Sequence, residues 1–274
     1  MRFAICNEGF EGWALRDVVA FVADVGYEGL ELAPFTLCDD VRKVSEAERR
    51  KIRCTIESAG LKVVGLHWLL AYTEGLQLND PDPAVRGRTT QYLLALVDFC
   101  ADLGGQVLVF GSPKQRSLQP GWVHDEALDS AAEIFRRCGE RAAERDVVFC
   151  LEPLTTLETD FITTALEAAK MVRAVAHPGF QMMVDVRAMS SEDRPIPEII
   201  RGVAPYIQHV HLNDPNQLGP GMGEVDFVPI LRTLREVGYE GWLSVEPFDF
   251  SPGPERIARE NLAYLKRCVE RIDE

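Results

Sequence analysis

The sequence predicts one α/β domain, a closed (β/α)8 barrel of the TIM type over residues 1–274, and three observations carry that prediction. Eight short apolar runs of β character alternate with eight longer segments of helical period. No Pro-, Gly- or Ser-rich linker divides the chain, and glycines stand where several helices should end. A doubly wound open sheet is the rival arrangement, but no Gly-x-Gly-x-x-Gly follows the first strand.

Taken in order, the strands are "FAIC" (3–6), "GLEL" (29–32), "KVVGLH" (62–67), "QVLVFG" (106–111), "VVFCLE" (147–152), "QMMVD" (181–185), "IQHVHL" (207–212) and "WLSVE" (242–246). Parallel strands covered on both faces read as nearly continuous apolar runs, and most of these do. Helical patterns fall at 15–25, 45–59, 84–103, 125–145, 163–175, 197–203, 227–237 and 254–271. Ser45 with Glu48 forms a capping box at the second helix, and Asp226 caps "FVPILRTL". Gly26, Gly60, Gly104 and Gly238 take the left-handed position past helix ends. Asp80-Pro and Asp82-Pro mark the loop before the third helix. "VGYEGLEL" (25–32) and "VGYEGWLSVE" (237–246) echo each other, as repeated βα units would.

Bulk properties narrow the function. The 274 residues are 46% hydrophobic and 26% charged, enough to bury a full core. A net charge of −14 repels phosphate backbones and anionic lipid, which argues against nucleic-acid and membrane partners. Seven dispersed cysteines, several in apolar runs, read as reduced buried thiols. With no secretory h-region and no apolar run near 18 residues, the expectation is a cytoplasmic protein acting on a small molecule. A homo-oligomer is compatible with all of this.

In such a barrel the strand C-termini form the mouth, where chemistry is placed. Those ends carry His67, Glu152, Asp185, His211 and Glu246. A lone acidic residue at a strand end is commonly a helix cap. Three carboxylates and an imidazole on four successive strands are better explained as ligands, because an ionised carboxylate in a dry site is costly unless paired. Glu152, Asp185, His211 and Glu246 therefore suit one divalent ion, Mn²⁺ first, with Mg²⁺, Co²⁺ and Zn²⁺ as alternatives. His209 shares a face with His211 and points into the barrel one layer deeper, as a hydrogen-bonded support. "GSPKQR" (111–116) places Lys114 and Arg116 near the mouth, where they could hold a substrate anion or form a solvated basic loop. His67 and Trp68 end the third strand as candidate substrate contacts, and the indole could stack on a sugar face or pack the mouth.

"LEPLTTLETDF" (151–161), "VDVRAM" (184–189), "HVHLND" (209–214), "GPGMGEVDF" (219–227) and "LSVEP" (243–247) resemble the xylose-isomerase-like barrel family over nearly the whole chain. Within it they are most similar to the ketose 3-epimerases of the tagatose, psicose and keto-gluconate type. The resemblance implies a metal-dependent sugar isomerase or epimerase working through an enediolate. It also implies that Glu152 and Glu246 double as acid/base groups on opposite substrate faces, and that Glu158 touches substrate near the reacting carbons. Two positions depart from the family pattern. The histidine of its Asp-x-x-His-Met motif is Ala188 here, and its substrate-holding arginine after the strand-seven histidine is Gln217, which stands as the candidate substrate contact at that position. The metal chemistry carries over, whereas substrate identity does not. A lyase or dehydratase on a keto-sugar or keto-glycoside is the alternative. An abasic-site endonuclease, which needs further ligands and a basic face, and a non-catalytic sugar-binding protein stand further off.

Overall fold

The computed structural model describes residues 1–274. Eight parallel strands close into one barrel in sequence order: β1 (Arg2–Cys6), β2 (Gly29–Leu32), β3 (Lys62–Leu66), β4 (Val107–Phe110), β5 (Val148–Leu151), β6 (Phe180–Asp185), β7 (Ile207–Leu212) and β8 (Trp242–Val245). The seam is closed by β1 on β8, with Ala4 opposite Ser244. The helices are α1 (Leu15–Val25), α2 (Glu46–Ser58), α3 (Pro83–Leu103), α4 (His124–Glu144), α5 (Ala165–Val175), a single turn α6 (Val186–Met189), α7 (Ile196–Val203), α8 (Phe227–Glu236) and α9 (Pro254–Asp273). The single-turn α6 is the one α-helix the periodicity does not announce; Asp185, at its N-terminus, accepts the Ala188 N–H.

The local signals act as expected. Ser45 and Glu48 exchange both capping-box hydrogen bonds, and Asp226 and Asp82 accept from Val228 and Ala84. Gly26, Gly60, Gly104 and Gly238 all have positive φ, between 75° and 100°. All seven cysteines are free, and five are buried. No helix is long and apolar enough to cross a membrane.

Period-two alternation divides the apolar residues into two cores. Outward-facing residues pack between sheet and helices in one cluster of 66 buried side chains. The inward set forms a small plug of Ala4, Val64, Val107, Val109, Cys150, Met183 and Trp242. Two residues further along each strand, the same inward parity delivers polar groups to the layer above: Glu152 above Cys150, Asp185 above Met183, His211 above His209, and Glu246 above Ser244 and Trp242. The barrel thus changes from apolar floor to ionisable mouth within one repeat of the pleat.

Candidate active site

Glu152 and Glu246 lie one residue past β5 and β8, where the chain has just left the ladder; Asp185 ends β6, and His211 lies within β7. One ligand atom from each of these four buried residues falls within 4.8 Å of all the others. His211 Nδ1 sits 2.8 Å from Glu246 Oε2 and 3.8 Å from Glu152 Oε1. Despite that proximity, neither His211 Nδ1 nor Glu246 Oε2 has a well-angled hydrogen bond, so two buried polar atoms converge on a common point without satisfying each other. Gly111, just past β4, makes room there: a Cβ would lie 2.2 Å from Glu152 Oε2.

The electrostatics agree with that reading. Burial, and then Glu246, push the Glu152 carboxyl well above the usual range. The same two causes raise Asp185 to about 6. Burial also works to raise Glu246, but His211 and His67 outweigh it and hold that carboxylate at about 2. Three carboxyls here face too little positive charge for all to ionise. A divalent cation supplies that charge, and the set of three carboxylates and one imidazole fits one.

Three of the four are oriented from behind. His211 Nε2 lies 3.1 Å from Glu31 Oε1, so Nδ1 is the nitrogen that faces the cluster. Glu31 also accepts from His209 Nε2 at 2.8 Å, so the expected support of His211 by His209 runs through a shared carboxylate. Asp185 accepts from Ala188 N at 2.7 Å and from Asn213 Nδ2 at 2.6 Å. Glu246 Oε1 receives His67 Nδ1 at 3.0 Å and Trp68 Nε1 at 3.1 Å. His67 Nε2 in turn lies 3.1 Å from Glu8 Oε2. Burial works against a charged His67, yet Glu8 and Glu246 on either side raise it to about 10. By contrast Glu152 opens onto a cavity of 350 Å³ lined also by Trp68, Tyr72, Lys114, Glu158, Glu246 and Phe248.

Three expected substrate contacts are corrected by these positions. His67 is fully buried with both ring nitrogens against carboxylates, so it positions Glu246 and does not face the cavity. Arg116 is also fully buried, donating to the carbonyls of Glu152 (2.6 Å) and Ile162 (3.1 Å), where it ties the β5 end to the following loop. Burial works against its charge and lowers it to about 10, while Glu152 and Glu158 nearby and the two carbonyl acceptors offset part of that cost, so it serves as a structural cation. Gln217 is exposed and acts through its backbone: at φ 71° its carbonyl accepts the N–H groups of Phe248 (2.7 Å) and Asp249 (2.9 Å). Trp68, Lys114 and Glu158 do line the cavity.

Sequence reasoning missed Glu31, Glu8, Asn213 and Arg187. The last bridges Glu158 (3.0 Å) and stacks over Phe248 (5.2 Å). Glu31 had a usable signal: a carboxylate between Leu30 and Leu32 in a buried strand demands donors, and two histidines already pointed inward.

Comparison with known proteins follows the same lines. The chain is 28% identical over 236 residues, 83% of its length and 76% of the relative's, to D-psicose 3-epimerase of Ruminiclostridium cellulolyticum. It is 22% identical over 281 residues, 98% of this chain and all of the relative, to 3-dehydro-D-guloside 4-epimerase of Escherichia coli. Among solved structures, D-psicose 3-epimerase from Clostridium cellulolyticum with D-tagatose superposes with a TM-score of 0.87 at 22% identity, covering 99% of both chains. The 3-keto-D-glucoside 4-epimerase of E. coli gives 0.84 at 20% identity, covering 98% of this chain and 100% of that one. At these identities the superpositions speak for the fold. The family model described as Xylose isomerase-like TIM barrel matches residues 19–268, nearly the whole chain, and the protein belongs to that family.

Proposed function

We propose that the chain is a divalent-metal-dependent sugar epimerase that inverts a carbon beside a keto group, with a keto-sugar derivative as substrate. The observation that carries this reading is the convergence of Glu152, Asp185, His211 and Glu246 on one point beneath a sugar-sized cavity. The epimerase relatives support the reaction class. A bound divalent ion, Mn²⁺ foremost, would polarise a substrate carbonyl and neighbouring hydroxyl and so acidify the C–H between them. Glu152 and Glu246 then divide the proton transfers: one takes the proton from one face, and the other returns a proton to the opposite face. Glu246 is pinned by His67 and Trp68, whereas the Glu152 carboxylate has no protein hydrogen bond and is free to follow the substrate. Glu158, braced by Arg187, and Trp68 contact the sugar, and Lys114 is the cation in the cavity wall available to an anionic substituent.

Substrate identity follows from what the mouth lacks. Ala188 is buried and offers its backbone N–H to Asp185, and Gln217 uses its backbone for the β8 loop. Neither presents a side-chain donor to the end of a free ketose, and each missing hydrogen bond costs roughly 1–3 kcal/mol. Free ketohexoses should therefore turn over at least about tenfold more slowly than 3-keto-glycosides when both are assayed with Mn²⁺ by NMR. Efficient fructose–psicose or tagatose–sorbose epimerisation would contradict this specificity. The same loss favours a second reading, a lyase in which the enediolate expels a β-substituent; the products of the keto-glycoside assay tell the two apart.

Glu31 gives a separate test of the metal assignment. Because it fixes which nitrogen of His211 faces the cluster, Glu31→Gln should lower Mn²⁺ affinity by about 10–100-fold in calorimetric titration. Unchanged affinity would count against His211 as a ligand oriented by Glu31.

A further inference from the structure

Beside the cavity above Glu152 lies a second, larger one of 600 Å³, on the β1–β3 side of the mouth. We propose that this chamber binds the aglycone of a keto-glycoside, an uncharged second ring, while the keto-sugar ring occupies the carboxylate site. The proposal rests on the epimerase reading above and adds what that reading leaves open, the size and character of the group attached to the sugar.

The two cavities are adjacent, sharing Trp68, Tyr72 and Phe248 as walls. The far walls are Phe10 and Trp13 from the β1 loop, Phe35 from the β2 loop and Phe250 from the β8 loop. Gly9 allows that closure, since a Cβ there would lie 2.7 Å from the Phe250 ring. The rings contact one another edge-on, Phe35 with Tyr72 at 4.9 Å, Phe35 with Trp68 at 6.1 Å, and Phe10 with Trp13 at 5.7 Å. A volume of this size falls within the roughly 300–1,000 Å³ of pockets that enclose whole small molecules. The wall has Asn7, Thr36, Glu8 and Glu11 among its rings but no Lys or Arg, which suits a neutral ring and disfavours an anion.

The backbone gives a second, independent indication. Trp68 and Tyr72, both shared between the chambers, have positive φ (51° and 59°), a conformation that disfavours bulky side chains. Tyr72 is also 83% exposed. An aromatic side chain held in solvent on strained backbone gains nothing for the fold, and such strain collects at ligand clamps. Aromatic faces of this kind bind the apolar faces of sugar or phenyl rings.

The test uses the Mn²⁺-loaded chain and two probes, the methyl and phenyl β-3-keto-glucosides, in D₂O. Calorimetry should show the phenyl compound binding at least about tenfold more tightly. Trp13→Leu should remove that advantage while leaving the methyl compound's affinity and the Mn²⁺ content unchanged; Phe35→Leu is the second variant, should the first fail to fold. Equal affinity of the two probes, absence of binding by both, or an advantage that survives both variants overturns the chamber. Solvent deuterium in the methyl compound judges the epimerase reading separately. Exchange without a phenyl advantage sinks the chamber alone, and a Trp13-dependent advantage without exchange upholds the chamber and sinks the epimerase.

Discussion

Glu152→Gln and Glu246→Gln each lower turnover by about 10²–10⁴-fold, because an amide keeps an oxygen for the cation but removes the group that carries the proton. The two variants differ in metal binding. The Glu152 carboxylate makes no protein hydrogen bond, so its amide is accommodated and Mn²⁺ stays bound. Glu246 accepts from His67 and Trp68 on one oxygen and faces His211 Nδ1 at 2.8 Å with the other. An NH₂ on either side meets a donor or the ligand nitrogen, so Glu246→Gln also weakens the metal. Rapid-quench turnover together with metal analysis of both variants checks this. In an epimerase, each variant retains proton exchange on the face served by the remaining glutamate, without inversion. In a lyase only one of them abolishes exchange. Full activity of both variants with metal bound would reduce these glutamates to ligands.

The second large effect is a pH-dependent stabilisation by the metal. Asp185 has a folded value of about 6 against an ordinary value of 3.8, raised by burial and by Glu246. Its proton therefore favours the metal-free fold fully below the ordinary value, and that contribution is lost as pH rises through about 6. Glu152, raised by the same causes, acts in the same direction. A divalent cation replaces those protons, and it competes with fewer of them as pH rises. Saturating Mn²⁺ should thus raise Tm little near pH 5 and by about 5–10 °C near pH 7.5, the range that a few kcal/mol gives for a chain of this size. Asp185→Asn, which stands in for the protonated form, should flatten the dependence. A Mn²⁺ shift equal at both pH values would contradict the carboxyl cluster as the metal's seat.

How much of this was legible beforehand depended on the range of the interaction. The alternation of apolar runs and helical periods gave all eight strands, because both periods are local. The carboxylate–histidine quartet was legible because strand parity and barrel closure together dictate where an inward residue at a C-terminal end must lie. What supports the quartet was not. Glu31 meets His209 and His211 across sequence separations of 178 and 180, and His67 reaches Glu246 across 179. Only closing β1 onto β8 brings those partners together. Arg116 went astray for a related reason: its place after β4 was read correctly, but its guanidinium turns inward to two carbonyls that the sequence does not reveal. Trp68 could be assigned to the mouth, though not its hydrogen bond to Glu246, since that depends on a positive φ no local pattern announces.

The central claim is that two different carboxyls handle the proton on opposite faces of a metal-held sugar. It is tested most directly by following the Mn²⁺-loaded chain with a 3-keto-glycoside in D₂O by NMR. The proton returned comes from a carboxyl that did not take the original and has exchanged with solvent. Each inverted product should therefore carry one deuteron at the inverted carbon, and chelating the metal should stop both inversion and exchange. Inversion with the original hydrogen retained would contradict the account, since it would require the hydrogen to move without passing through Glu152 and Glu246 as separate acid and base.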